Sequence, residues 1–272
     1  MPIYPLSSVY SFSVNKKTSD SFALNQPIKL LSVIIAAYNE ASTIAQTLAR
    51  LHVVLETLNC SSEIIVVESN STDKTREILQ GIEHQLNLKL VFQDHPQGKG
   101  SAVRLGMRQM SGDVFLIYDA DAEYDPADIP KLLEPIVSGA TSFVLGTRHE
   151  KGRSMRVMDN HRIRPALMNL GHKFFTSLIN VSFFVKLTDP FTMYKIFRSE
   201  VFSGIELVSN RFDFDWELVC KAIRLGCAPI EIPVFYKSRS FVEGKKVRFF
   251  KDPLTWLIAL VKFRFSKIHK TT

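Results

Sequence analysis

The run Asp119-Ala120-Asp121-Ala122-Glu123 carries three carboxylates at i, i+2 and i+4. It follows Gly112-Asp113-Val114-Phe115-Leu116-Ile117-Tyr118, an apolar stretch that reads as a buried β-strand. In extended geometry that spacing puts all three carboxylates on one face. Anions crowded at a strand end repel each other unless a cation sits among them. A hard divalent cation with oxygen ligands suits such a set. Open α/β sheets bind their ligands outside the carboxyl ends of their strands. The run therefore predicts a metal site where such sheets place active sites.

Two further apolar runs end in polar tips, Tyr38-Asn39-Glu40 and Glu68-Ser69-Asn70-Ser71-Thr72-Asp73. Both precede helical patterns, whose first backbone N–H groups favour anions. Glu40, Glu68 and Asp73 would oppose a phosphate but could accept hydrogen bonds from a base or ribose. A nucleoside lying across two strand ends fits that arrangement. Taken singly, Asn39 and Asp73 are better explained as helix caps. Gly98-Lys99-Gly100 opens another helix with a positive charge and two glycines that permit close backbone approach. It is not a Walker loop, because the GxxxxGK[ST] spacing is absent.

These residues need a frame, and alternating patterns supply one. Apolar runs predict strands at residues 31–37, 63–68, 89–92, 113–118 and 142–146. Between them, helical spacing predicts helices from 39 or 40 to 58, then at 72–85, 101–110 and 128–137. Continuous apolar strands separated by amphipathic helices argue for a parallel sheet covered on both faces. Beyond Arg148, residues 150–165 are basic and polar and predict a loop. Helices are expected at 165–179, 213–225 and 253–265, the last with Asp252 as N-cap and Pro253 at its first position. Residues 228–235 contain two prolines and predict an edge strand.

The chain has 272 residues with a net charge of +7. Residues 237–272 hold ten Lys/Arg against two Asp/Glu, or +8, and the other 236 hold 24 against 25, or −1. A near-neutral globule with a basic tail is expected. Such a tail suits phosphate, an anionic membrane or nucleic acid, or is simply solvated. Residues 1–27 predict a disordered leader, 28–236 the catalytic domain and 237–272 the tail. The three cysteines match neither zinc spacing nor a disulfide framework, which points to a reducing compartment. No run reaches the roughly 18–20 apolar residues needed to span a bilayer.

In their order, the motifs resemble those of glycosyltransferase family 2, and within it the dolichol- and polyprenyl-phosphate sugar synthases. The resemblance rests on residues 32–40 (SVIIAAYNE), 63–75 (EIIVVESNSTDKT), 98–106 (GKGSAVRLG), 112–126 (GDVFLIYDADAEYDP), Gly146-Thr147-Arg148 and 188–197 (TDPFTMYKIF). It implies a GT-A fold: a Rossmann-like, mostly parallel sheet flanked by helices, here with a basic, amphipathic C-terminal helix. It also implies a UDP- or GDP-linked sugar donor, inversion at the anomeric carbon, and Mg²⁺ or Mn²⁺. By position, Tyr38, Glu40 and Glu68 would contact the nucleoside, with Lys99 also on the donor. Asp119 and Asp121 would form the DxD pair on the metal, with Glu123 as third ligand or outer-shell acceptor. Arg148 would face an acceptor phosphate, joined by Arg162 or Arg164 and by Arg239 and Lys245. Four positions depart from the family pattern. Ala36 replaces a usual Pro, Glu68-Ser69 replaces Asp-Asp, and Met193 takes the Gly position of DPxSGF.

A lipid phosphate acceptor is already anionic near pH 7 and needs no strong base, so positioning by Arg and Lys suffices. A sugar hydroxyl needs a base. Asp213, Asp215 and Glu217 are the candidates, and they read equally well as a helix N-terminus complementing the dipole. The expected protein moves a sugar from a nucleotide sugar to polyprenyl phosphate at the cytoplasmic membrane face, with no nucleic-acid partner. The basic stretch 237–248 and the helix around Trp256 would dock on the membrane. Transfer to a glycan or glycolipid hydroxyl and sugar-nucleotide nucleotidyl transfer are the competing activities. A non-enzymatic lipid- or nucleic-acid-binding module would leave the acidic cluster unexplained.

Overall fold

The computed structural model describes residues 26–149, 163–211, 213–238 and 251–269. Strands and helices alternate through its first part: β1 (Leu30–Ala37), α1 (Ile44–Leu55), β2 (Ser61–Glu68), α2 (Thr75–Ile82), β3 (Leu88–Phe92), α3 (Lys99–Gln109), β4 (Val114–Asp119), α4 (Ile129–Val137) and β5 (Phe143–Thr147). Then follow α5 (Ile163–Phe183), β6 (Lys195–Arg198), α6 (Asp213–Arg224), β7 (Ile230–Pro233) and α7 (Lys251–Phe265).

One seven-stranded sheet runs in the order β3-β2-β1-β4-β6-β5-β7. All its pairings are parallel except those of β6, which is antiparallel to both β4 and β5. The period of two divides each central strand between two cores. Val33, Ile35 and Leu116 face α1, α2 and α4 through Leu48, Leu79 and Leu132. Ile34, Phe115 and Ile117 face the other helices through Val103, Ile179, Trp216 and Phe263. Each such side chain contributes roughly 1.5–3 kcal/mol by leaving water. The continuous apolar strands expected for a doubly covered parallel sheet are the ones observed.

The chain adds β2 and β3 on one side of β1 and then crosses to place β4 on its other side. That reversal opens a crevice at the carboxyl ends of β1 and β4, the place where such sheets accept ligands. Tyr38 to Glu40 and Asp119 stand at that crevice.

Several elements differ from expectation. α1 starts at Ile44 rather than 39 or 40, because the Glu40 carbonyl closes a turn by accepting from the Thr43 and Ile44 amides at 3.0 and 2.9 Å. α5 runs 21 residues, beyond its expected end. β6 was not expected at all: four residues with charged ends carry too little alternation to read. β7 is an edge strand, as its prolines required. The C-terminal helix α7 joins the second core through Ala259, Leu260 and Phe263. Trp256 stands 5.3 Å from Phe175 and 6.4 Å from Phe191, ring to ring, so it packs inward rather than toward a membrane.

Candidate active site

The tips of β1 and β2 are laced together by short polar side chains. Asn39, with a left-handed φ of 52°, accepts from the Thr72 amide at 2.8 Å, and its own amide donates to the Ser71 hydroxyl at 3.0 Å. The Glu40 amide donates to Thr75 Oγ1 at 2.9 Å. Asp73 accepts from the Ala41 amide at 3.1 Å and from the Thr75 amide at 2.9 Å. Tyr38 is half-buried at this tip and Glu40 is buried at the entry to α1.

Glu68 does not project toward a base as expected. It is fully buried, and its carboxylate accepts from the Ser71 amide at 2.6 Å and from Arg76 Nε at 2.5 Å. Burial pushes its pKa up, but the Ser71 and Arg76 hydrogen bonds outweigh that and hold it below the ordinary glutamate value. The longer side chain at this position, compared with Asp, folds back into its own loop and shapes the pocket wall.

The acidic run behaves differently from an extended strand. β4 ends at Asp119, and Ala122 has a left-handed φ of 58°. The turn keeps Asp119 and Asp121 at the crevice and sends Glu123 away. The Glu123 carboxylate accepts from the Tyr236 hydroxyl at 2.8 Å, and its carbonyl accepts from the Lys237 amide at 2.9 Å. The expected three-carboxylate set is therefore not assembled. Among the described residues no group of three or more His, Cys, Asp or Glu could hold a metal ion.

A cation does sit on Asp119: the ammonium of Lys99, from the start of α3. Burial pulls the Lys99 pKa down, while Asp119, Asp215 and Asp121 together raise it above the ordinary lysine value. Gly98 lets the start of α3 come close to the backbone of residue 210. Its φ is 100°, and a Cβ there would lie 2.4 Å from the Asn210 carbonyl oxygen. Arg104 on the same helix donates to the Ser209 carbonyl and to Asn210 Oδ1, so α3 and residues 209–210 close on each other.

Asp215 and Glu217 part company on α6. Two positions along a helix are about 200° apart, so both cannot face one site. Asp215 accepts from Lys195 Nζ at 2.8 Å and belongs to the Lys99 cluster. Glu217 is fully buried; it accepts from the Val208 and Ser209 amides at 3.0 and 2.7 Å and pairs with Lys221 at 2.5 Å. It holds the Val208 and Ser209 backbone in place, and its carboxylate is taken up by these structural partners. Lys195, fully buried and paired with Asp215, falls within the 188–197 motif and carries no spacing signal of its own. Burial and the neighbouring Lys99 lower its pKa despite Asp215.

Arg148 is not an open phosphate arm. Its Nε and Nη2 each donate to Asp189 at 2.7 Å, and its amide donates to the same carboxylate at 2.9 Å. His172 of α5 lies 2.9 Å from Asp189 Oδ1, and the Tyr236 ring covers the guanidinium at 5.2 Å. Burial opposes charge on both partners, but each holds the other ionised: Asp189 stays well below the usual carboxylate range and Arg148 well above its own. Arg162, Arg239 and Lys245 lie outside the described residues, as does the side chain of Arg164.

Residues 32–205 match the family described as glycosyl transferase family 2. The chain belongs to that family. The dolichol-phosphate mannosyltransferase of Pyrococcus furiosus is 31% identical over 215 residues, which cover 79% of this chain and 58% of that protein. The undecaprenyl-phosphate 4-deoxy-4-formamido-L-arabinose transferase of Yersinia pestis is 30% identical over 119 residues, 43% of this chain and 36% of that protein. Among solved structures, glucosyl-3-phosphoglycerate synthase from Mycobacterium tuberculosis, in complex with Mn²⁺, UDP-glucose and phosphoglyceric acid, is similar with a TM-score of 0.63 at 17% identity, covering 87% of this chain and 80% of that one. The fold is GT-A, as the family resemblance implied.

A divalent cation fits the residues present. Asp119 and Asp121 offer hard oxygen donors, and Asp119 already holds a cationic group. Magnesium-type sites use one or two carboxylates and take their remaining ligands from substrate phosphates and water. Two carboxylates at a strand end, without Glu123, are enough for that kind of site.

Proposed function

We propose that this family 2 protein transfers a sugar from a UDP- or GDP-linked donor to polyprenyl phosphate, with inversion at the anomeric carbon. The observation that carries the proposal is the gathering of Asp119, Asp121 and Lys99 at the β1–β4 crevice, beside the laced tip at Tyr38 to Glu40. The relatives named for dolichol phosphate and undecaprenyl phosphate support the acceptor class.

Asp119 and Asp121 would hold Mg²⁺ or Mn²⁺, which supplies charge stabilisation for the departing nucleoside diphosphate. Tyr38 and Glu40 line the nucleoside side, with Glu68 and Asp73 keeping their loop in shape. Lys99 sits where its ammonium can meet a diphosphate oxygen once Asp119 has another cation. Arg148, fixed by Asp189, anchors the acceptor side and orients residues 188–192. An anionic phosphate oxygen attacks without giving up a proton, so this route asks no base of the protein.

A second reading, transfer to a glycan or glycolipid hydroxyl, is favoured by one observation: Asp215 faces the Lys99 cluster from the start of α6. No described helix is long and apolar enough to cross a membrane. We assign the protein a peripheral position on the cytoplasmic membrane face, and no nucleic-acid partner.

The test is a donor panel with Mn²⁺, Mg²⁺ or chelator, with and without a short polyprenyl phosphate, read by mass spectrometry. A metal-dependent glycosyl phospho-polyprenol is expected. Sugar appearing only on glycan hydroxyls, with turnover lost in Asp215→Asn, would replace the first reading by the second.

A further inference from the structure

The backbone at Lys99 is wedged in place. Gly98 is pressed on the Asn210 carbonyl, and a Cβ on Gly100 would lie 2.6 Å from Phe214 Cβ at the start of α6. The Ser101 amide donates to the Asn210 carbonyl at 3.1 Å. The Ser101 hydroxyl donates to Gln97 Oε1 at 3.1 Å and accepts from Gln93 Nε2 at 3.3 Å. With the start of α3 held in this way, the flexible stem of Lys99 is the part that can move.

That stem places its ammonium on Asp119, one of the two carboxylates that fit a divalent cation. Burial alone would favour the neutral amine, but Asp119, Asp215 and Asp121 outweigh it and keep Lys99 charged. Both side chains of the pair are mostly buried, so water and salt screen it little. A divalent cation on the same carboxylate would repel the ammonium strongly. Metal and lysine are therefore alternatives on Asp119.

A displaced Lys99 has no easy retreat. Asp215 already accepts from the fully buried Lys195 at 2.8 Å. The two ammonium groups also repel each other, and the nearness of Lys99 adds to burial in lowering the Lys195 pKa. A nucleotide sugar changes this balance. A divalent cation adds two positive charges, and one negative charge on each phosphate of the donor cancels them. A phosphate oxygen also offers Lys99 a charge-assisted hydrogen bond in exchange for the carboxylate.

We propose that Lys99 is a displaceable counter-ion on Asp119, which holds off a divalent cation until a nucleotide sugar arrives with it. The metal would then enter as a metal–donor complex and leave with the nucleoside diphosphate, rather than reside in the empty site. This inference rests on the placement of the cation at Asp119 and Asp121 in the reading above, and not on the acceptor.

The experiment is titration of the full chain with Mn²⁺, with free Mn²⁺ measured by electron paramagnetic resonance, in the absence of nucleotide and with UDP-glucose or GDP-mannose. Lys99→Met should bind Mn²⁺ alone about tenfold or more tightly than wild type. Lys99→Arg keeps the charge and should stay close to wild type. Adding Asp119→Asn to Lys99→Met should remove the gain. The sugar nucleotide should tighten Mn²⁺ binding about tenfold more in wild type than in Lys99→Met. Should circular dichroism show Lys99→Met unfolded, Lys99→Gln takes its place with the same expectations. A neutral variant that binds Mn²⁺ alone no more tightly than wild type overturns the proposal. So does a gain that survives Asp119→Asn, a Lys99→Arg protein that binds as tightly as Lys99→Met, or equal tightening by the donor in wild type and Lys99→Met. If Lys99→Met gains Mn²⁺ as expected but neither sugar nucleotide binds wild type, the donor reading falls and the counter-ion role stands.

Discussion

The two sides of the crevice are built by different means. At the β1–β2 tips, Asn39, Ser71, Asp73 and Thr75 satisfy one another through hydroxyls and backbone amides of adjacent loops, and the ion pair there, Glu68–Arg76, joins residues only eight apart. Across the crevice, Arg148–Asp189 and Lys195–Asp215 are ion pairs between buried groups 41 and 20 residues apart in the chain. A buried ion pair is hard to break from one end, because the abandoned charge stays in the interior. A laced loop loses one weak bond at a time. The Arg148–Asp189 side is therefore the rigid anvil and the β1–β2 tip the softer wall.

The largest effect should come from breaking the anvil. Asp189→Ala leaves Arg148 buried and unpaired, and should cost about 3–5 kcal/mol in urea unfolding. The same pair sets an acid limit. The folded Asp189 pKa is depressed, so its contribution is fully present above the unfolded value of about 3.9. It is lost as pH falls through the folded pKa, and Asp189→Asn should flatten that part of a stability–pH curve.

Asp121→Asn tests the crevice itself. Removing about 3–4 kcal/mol of transition-state stabilisation lowers donor turnover roughly 10²–10³-fold, with unfolding stability nearly unchanged. A large stability loss instead would make Asp121 a structural residue. Next in size, Glu217→Gln should cost about 2–3 kcal/mol of stability, because two amides and Lys221 lose a charged acceptor. Its turnover per folded molecule should match wild type. With a phosphate acceptor, Asp215→Asn should also keep its turnover; a collapse there would move the chemistry to a hydroxyl. The smallest effect belongs to the soft wall. Asp73→Ala should cost about 1 kcal/mol, as for loss of a capping side chain, and should raise the donor KM more than it lowers kcat.

How far each side was legible follows from the same contrast. Strands β1 to β5 and the polar tips that end β1, β2 and β4 were readable because their information is local: a run of apolar residues, a period, a cluster within five positions. The failures share a cause. Extending the strand geometry past Asp119 put Glu123 with its neighbours, whereas a left-handed Ala122 sent it to Tyr236. Treating Asp215 and Glu217 as equivalent ignored the helical rotation between them. The Arg148 motif gives no sign of its partner Asp189, which lies 41 residues away and takes the guanidinium out of solvent. β6 was too short to show a pattern, yet its Lys195 supports Asp215.

By itself, the order of residues determined the alternating α/β frame, the place of the crevice and the two carboxylates at its centre. Those depend on burial patterns and on short spacings that survive in any fold of this class. Only the tertiary structure decided which charges meet. Lys99 reaches Asp119, Asp189 captures Arg148, and α7 packs inward. Such pairings depend on where distant segments cross in space, and no local period encodes that.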